Sequence, residues 1–280
     1  MGGGIRRESA ASKGRASDRA AVLRLGRRLG LTDADTLLLA SLRTPERIQD
    51  FVNRIPWNHQ PDGPSAMSVA AVLRENRAHC IEAAFVAASA LWLAGQPPLL
   101  MDMGADRGDV DHVVALFRDG RHWGAISKSN SPFLRYRDPI HRSLRELCIS
   151  FFSQYVKRRR KTLRTYSVPV DLRTFDPSLW VNREGFCRQM VDTLTGARHF
   201  QILPVRQAPR LRPIDEIEAR SNLLRDFPDP APATEPMPDS IPLQPDSSRP
   251  ARAGGAGRSS RSRRTAVAAR ARAAGSAVRH

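Results

Sequence analysis

Cysteine is scarce in this chain. Cys80, Cys148 and Cys187 are the three among 280 residues, an odd number with no Cys-x-x-Cys spacing. That argues against a disulfide framework and fits a reducing, cytoplasmic setting. Long apolar runs are missing as well. None approaches the ~20 residues that span a bilayer, so no membrane association is expected. The start, Met1-Gly2-Gly3-Gly4-Ile5-Arg6-Arg7, lacks the apolar stretch of a secretory signal, and Arg6 stands where myristoylation needs Ser or Thr. No aromatic residue follows Phe227, which removes base stacking from the far C-terminal part. No acid occurs in 247–280.

Hydrophobic residues make up 41% of the chain and include four Trp, enough for one sizeable core in one or two domains. The formal charge of +17 is uneven. Residues 1–30 contribute +6 and residues 247–280 contribute +9, which leaves +2 for 31–246. Basicity therefore reads as a property of the tails, and the folded part as nearly neutral. Tails of this kind allow non-specific polyanion contact without sequence recognition.

Residues 1–17 have no apolar periodicity and read as a disordered basic tail. Helical spacing begins at Asp18 with Ala21, Val22, Leu25 and Leu29, and Gly30 is its stop. Further helices are expected over Thr36–Leu42, from Pro45 behind a Thr44 cap, and through Val69–Leu73 behind Ser65 or Ser68. A break near Asn76–His79 then lets Cys80 open a helix with Ile81, Ala84, Phe85, Ala88, Leu91 and Trp92 on one face.

Leu99–Met101 reads as a strand and His112–Arg118 as another, joined by an acidic loop. Asp119-Gly120 signals a two-residue hairpin to a strand over Arg121–Ser127. Asp138-Pro139 is read as the start of a helix that buries Ile140, Leu144, Leu147, Phe151 and Tyr155, closed by the basic run Lys157–Lys161. Thr162–Phe175 reads as extended, Arg183–Thr193 as helical and His199–Leu203 as a last strand. The expected domain is 18–205, followed by a Pro/Arg-rich, mostly disordered tail over 206–280 in which disorder is expected from about 228 onward.

Cys80 and His112 are the candidate catalytic pair. A thiol at a helix N-terminus is stabilised as thiolate by backbone N–H groups and the helix dipole, and an imidazole can carry its proton. With Asp119-Gly120 as the turn, Arg118 pairs with Arg121 and His112 lies directly opposite Ser127, at a Cβ separation of about 4.5–5.5 Å. The group that orients the imidazole is then Ser127 or the nearby amide of Asn130. Asp111 points to the other face of its strand.

The order of a Cys at a helix start, a His at a strand start and an orienting group on the next strand resembles the transglutaminase-like superfamily of papain-type folds. The resemblance covers roughly residues 30–205. It extends to Phe51-Val52-Asn53-Arg54-Ile55-Pro56-Trp57-Asn58, to Trp123-Gly124-Ala125-Ile126-Ser127-Lys128-Ser129-Asn130, to Arg137-Asp138-Pro139 and to Ser143-Leu144-Arg145-Glu146-Leu147. These segments look like an uncharacterised bacterial branch. The resemblance implies an α+β fold, with N-terminal helices and the Cys helix packed on a small antiparallel sheet. It does not imply protein crosslinking; with the Cys80–His112 pair, the expected activity is that of a cysteine hydrolase or acyltransferase acting on an amide, peptide or isopeptide bond of a peptide or protein, with no cofactor. Ser127 falls where the superfamily usually carries Asp. That leaves open Asn130 as a substitute, a Cys–His dyad, or a binding module without turnover. A protein acting on polyanions through its tails is the other class.

Other residues have plainer readings. Cys148 and Cys187 are read as buried apolar groups, His79 as a capping or surface residue, Glu82 as first-turn dipole complementation, and His122 and His141 as solvated. His59 is a candidate to line a cleft. Trp57, Asn58 and Gln60 are read as turn residues, with an oxyanion donor as the alternative. The loop Asp102–Asp111 and the run Lys157–Lys161 are read as solvated.

Overall fold

A computed structural model describes residues 18–228. The disorder expected for 1–17 and beyond 228 falls outside these residues. In chain order the elements are helix α1 (18–29), α2 (Asp33–Ser41), α3 (Pro45–Arg54), α4 (Val69–Glu75) and α5 (Cys80–Leu93). Strands β1 (Leu99–Met103), β2 (His112–Asp119), β3 (His122–Ile126) and β4 (Arg137–His141) follow. Next come α6 (Leu144–Phe152), β5 (Val156–Lys157), β6 (Arg160–Lys161), β7 (Thr165–Ser167) and β8 (Val170–Asp171). The series ends with α7 (Arg188–Gly196), β9 (His199–Gln201) and α8 (Glu216–Ser221). The architecture is α+β.

Local chemistry sets the helical boundaries. Thr32, Thr44 and Ser68 cap α2, α3 and α4 by accepting the backbone N–H of Asp35, Arg47 and Ala71. Pro45 occupies the first turn of α3, where a missing N–H costs nothing. Gly30 ends α1 at φ +81°, a conformation that favours glycine. Asn76 stops α4 at φ +50° in the same region and turns the chain so that α5 can start four residues later. The expectation that α5 buries one face is corrected. Ala83, Val86, Ala87, Ser89, Ala90 and Leu93 are buried too, so the helix runs through the core.

The main sheet has the order β4-β3-β2-β1-β8, antiparallel throughout. Strand alternation gives it two apolar faces. Leu100, Val113, Ala115, Phe117 and Ile126 join the α5 side. Met101, Met103, Val114, Leu116 and Ala125 pack with Leu147, Cys148 and Phe151 of α6. The sheet lies between the Cys80 helix and α6, each burying apolar area worth about 25 cal/mol per Å2.

Several expectations about segments are revised. The hairpin turn is Gly120-Arg121, with Asp119 paired to His122 and Arg118 to Trp123. Gly120 sits at φ +55°. The register is therefore two residues from the expected one, so His112 does not lie directly opposite Ser127. A two-residue slip preserves the face, and the two residues are diagonal neighbours on one side of the sheet. Asp138-Pro139 does not open α6. It belongs to β4 at the sheet edge, where proline is tolerated. Ser143 caps α6 instead, with Glu146 at the third position.

The basic run is not a helix end. It forms the β5–β6 hairpin, with Arg158 and Arg159 in the turn at φ +47° and +65°. The α7 helix begins five residues later than expected, at Arg188.

The ordered chain also continues past 205. Ile214 is buried, donates its N–H to the Arg159 carbonyl and accepts the Arg159 guanidinium at its own carbonyl, and Arg135 pairs with Asp226 at 2.7 Å. Residues 206–228 pack on the domain, so the boundary expected at 205 lies further along the chain. Counted over 18–228 there are 32 Lys/Arg against 23 Asp/Glu. The described part carries +9 and is not near neutral, because the basic α1 is inside it and the acidic stretch 229–246 lies beyond it. No helix among the described residues is long and apolar enough to cross a membrane.

Candidate active site

Cys80 is the first residue of α5, with its half-buried thiol at the positive end of the helix. The turn before it is zipped into place. Ala78 N–H donates to the Pro56 carbonyl at 3.0 Å and Asn58 N–H to the Ala78 carbonyl at 3.2 Å. This fixes Trp57 on a cleft of about 600 Å3 that His59, His79, Cys80, His112 and Tyr155 also line.

His112 opens β2 and is buried. Its Nε2 lies 2.7 Å from Ser127 Oγ. Ser127 Oγ in turn donates to the Leu134 carbonyl at 2.8 Å. A hydroxyl has one proton, and that proton is spent on Leu134, so Ser127 accepts from His112 Nε2–H. The tautomer follows. Nε2 carries the hydrogen and Nδ1 keeps the lone pair of a base. Tyr155 meets the imidazole edge-on, with centroids 6.4 Å apart at 82°. Ser127 is itself clamped by Gln49 of α3, whose amide accepts Ser127 N–H and donates to its carbonyl, both at 2.9 Å. Lys128 caps the other end of the clamp by donating to the Val52 and Ile55 carbonyls at the end of α3.

Asn130 lines the same cleft but does not hold His112. Its Nδ2 donates to the Phe227 carbonyl and its Oδ1 accepts Phe227 N–H, both at 2.8 Å. Both ends of the amide tether the C-terminal segment, so of the two candidate orienters only Ser127 touches the imidazole. Asp111 accepts Ala105 N–H at 2.8 Å and serves the loop.

Two residues read as incidental are central. His79 precedes Cys80, and its Nδ1 lies 3.7 Å from the thiol sulfur. Its Nε2 lies 2.9 Å from the Ser65 carbonyl and 3.4 Å from Glu82 Oε1. Glu82 is 0% exposed. Its carboxylate accepts Ser65 Oγ at 2.7 Å, His79 N–H at 2.8 Å, Met67 N–H at 3.0 Å and Asn58 Nδ2 at 3.0 Å. Glu82 therefore does more than complement a dipole. Asn58 is used up on Glu82, Ser65 and Gln60 N–H, which removes it as an oxyanion donor. The spacing His79-x-x-Glu82 is an N-cap-to-third-position spacing, the signal by which the pair was findable.

The electrostatics single out one thiol. Burial opposes ionisation of Cys80, but His112 and His79 outweigh it and hold the thiol well below its ordinary range. Burial likewise opposes the His79 cation, yet its bonds to Cys80 and Glu82 push it up to about 10. Glu82 is drawn down to about 2, chiefly by His79 and Asn58 acting against desolvation. Cys148 and Cys187 are buried and pushed up to about 12 by desolvation.

The remaining charged candidates hold the frame. Asp106 pairs with Arg160 at 2.8 Å and Arg164 at 2.9 Å, and Asp109 binds Thr162 Oγ at 2.6 Å and Lys157 at 3.7 Å. Lys157 and Arg160 of the basic hairpin pair with the acidic loop, so neither segment is merely solvated. Among the described residues no group of His, Cys, Asp and Glu is placed to hold a metal ion. His141 is buried, with Nδ1 3.2 Å from the Trp123 carbonyl, and is not solvated. Compared with known proteins, the chain matches no family model, and none of the curated proteins is significantly similar to it.

Proposed function

We propose that the protein is a transglutaminase-like cysteine hydrolase or acyltransferase acting on an amide, peptide or isopeptide bond. The observation that carries this reading is a low-range thiol at a helix start on one cleft with an imidazole whose tautomer is fixed by Ser127. His112 Nδ1 takes the thiol proton of Cys80, and the thiolate attacks the substrate carbonyl. The oxyanion forms beside the first backbone N–H groups of α5, which have no intrahelical partner. Imidazolium His112 gives its Nδ1 proton to the leaving amine. The acyl-thioester then takes water or a second amine, whose proton returns to His112 as the thiolate leaves. Ser127 holds the ring throughout with Nε2–H engaged.

A second reading, a binding module of the same fold without turnover, draws on Ser127 itself. A hydroxyl orients an imidazole but does not neutralise an imidazolium as a carboxylate does.

Thiol labelling separates them. Limiting iodoacetamide at pH 7, followed by peptide mapping, is expected to modify Cys80 at least about tenfold faster than Cys148 or Cys187, because the thiolate is the reacting species. Equal rates for the three would remove the nucleophile from the proposal.

A further inference from the structure

We propose that His79, paired with the buried Glu82, is a fixed cation that stabilises the Cys80 thiolate, so that two imidazoles flank the nucleophile with different tasks. His112 moves protons and His79 keeps its own. The inference rests on Cys80 being the nucleophile, and it assigns His79 and Glu82 as positioning residues.

The argument begins with Glu82. Its carboxylate is fully buried and receives four donors, Ser65 Oγ, Asn58 Nδ2, and the backbone N–H groups of His79 and Met67. Every one of those donors is neutral. A buried carboxylate without a countercharge is costly, and donors that favour the charged form keep it ionised. The cationic side chain in contact with it is His79, at 3.4 Å. The His79 ring has no alternative use for its protons. Nε2 faces the Ser65 carbonyl at 2.9 Å, and a carbonyl only accepts, so Nε2 carries hydrogen. Nδ1 faces sulfur at 3.7 Å, and a thiolate only accepts, so in the thiolate state Nδ1 carries hydrogen as well. Both nitrogens protonated is imidazolium.

Charge balance then distinguishes the two rings. Once the Cys80 proton has passed to His112 Nδ1, Glu82 and Cys80 are negative and His79 and His112 positive, and these four charges sum to zero. On acylation the sulfur becomes a neutral thioester, the His112 Nδ1–H bond breaks and the proton leaves with the amine, so both members of that pair become neutral together. Glu82 and His79 stay charged and cancel. The buried site is neutral before and after the step, and no stage leaves an unpaired charge in a low-dielectric setting. Without Glu82 the His79 cation would be unbalanced in the acyl-enzyme. Without His79 the carboxylate would lie near the thiolate and disfavour it. Asp102, Asp109, Asp111 and Tyr155 also face this region. Burial and Asp111 push Asp102 up to about 7, His199 opposes that shift, and Tyr155 is pushed up by burial and these anions. These groups add negative potential near the thiolate, which increases what a fixed cation contributes.

Two measurements on the full chain test this. The first needs no substitution. In 15N-histidine-labelled protein at pH 8, the ring nitrogens of His79 are expected to show the imidazolium pattern, and a neutral pattern overturns the proposal. The second follows the pH profile of Cys80 alkylation. His79→Gln is expected to move the midpoint of that profile upward by about one pH unit or more.

Glu82→Gln, nearly isosteric, decides the direction. If Glu82 acts through His79, its neutralisation moves the profile upward as His79→Gln does, and the double variant adds little. If Glu82 acts directly on the thiolate, removing its charge moves the profile downward, and the proposal fails. Unchanged profiles in folded variants also overturn it. A wild-type Cys80 that is no faster than Cys148 and Cys187 refutes instead the underlying reading of Cys80 as nucleophile.

Discussion

At the scale of single residues, Glu82 and His79 tie the site to pH in opposite directions. Glu82 is drawn from 4.5 in the unfolded chain to about 2, against the burial that alone would raise it. Its contribution to stability is present above pH 4.5 and is lost as pH falls toward 2. His79 is raised from 6.5 to about 10, its bonds to Cys80 and Glu82 outweighing burial. Its contribution is whole below pH 6.5 and is lost as pH rises through about 10. The two overlap fully between pH 4.5 and 6.5. The gap in urea midpoint between the wild-type protein and Glu82→Gln is therefore expected to be widest there and to narrow on both sides. A gap that stays constant from pH 3 to 10 would show that only the shape of Glu82 matters.

Along the chain only the His79-x-x-Glu82 spacing pointed to this pair, and the charge coupling did not show. Glu82 is buried because the Asn58–Met67 stretch closes over it, a tertiary event. Cys80, His112 and Ser127 were legible because a helix start and a strand period of two are local properties. The parity of a strand survived even a two-residue error in register.

At the scale of elements, the alignment of His112 depends on a helix that reaches it through Ser127. Helix α3 offers Gln49, which fills both backbone hydrogen-bonding positions of Ser127, and its last carbonyls take Lys128. Burial pulls the Lys128 ammonium down to about 8. The chain leaving β3 is thus fixed by two consecutive residues on one helix. Gln49→Leu keeps the apolar part of the side chain but leaves a buried N–H and C=O unpaired, at about 1–3 kcal/mol each. A loss in that range by urea denaturation is expected, together with slower Cys80 alkylation as Ser127 and His112 loosen. Loss of stability with an unchanged alkylation rate would separate the clamp from the site.

The helix itself was legible, from the Thr44 cap, Pro45 and the apolar Ile48 and Val52. Its role was not, because Gln49 and Ser127 are 78 residues apart. The misread Asp138-Pro139 makes the complementary point. A proline fits a helix start and a sheet edge equally well. The choice falls to Ser143 and Glu146, a cap spacing that competes for the same helix.

At the scale of the molecule, charge is the property most altered by knowing where the fold ends. The total of +17 divides into +9 on residues 18–228, +3 on 1–17 and +5 on 229–280. Helix α1 alone brings Arg19, Arg24, Arg27 and Arg28, and only Arg27 of these has a carboxylate partner among the described contacts, Asp33. The β5–β6 hairpin adds five more basic residues. Arg160 and Lys157 answer to the acidic loop, whereas Arg158 sits in the turn.

A surface that remains positive after its ion pairs are formed attracts polyanions by counterion release, whatever the tails do. A chain lacking 1–17 and 229–280 is therefore expected to be retained on a sulfated polyanion matrix at low salt and to elute earlier in a salt gradient than the full chain. Elution of the trimmed chain in the void at low salt would return the basic character to the tails alone. Co-elution of the two chains would mean that the tails contribute nothing, their acidic stretch 229–246 offsetting their arginines. The intermediate position is the one required by a domain at +9 within a chain at +17.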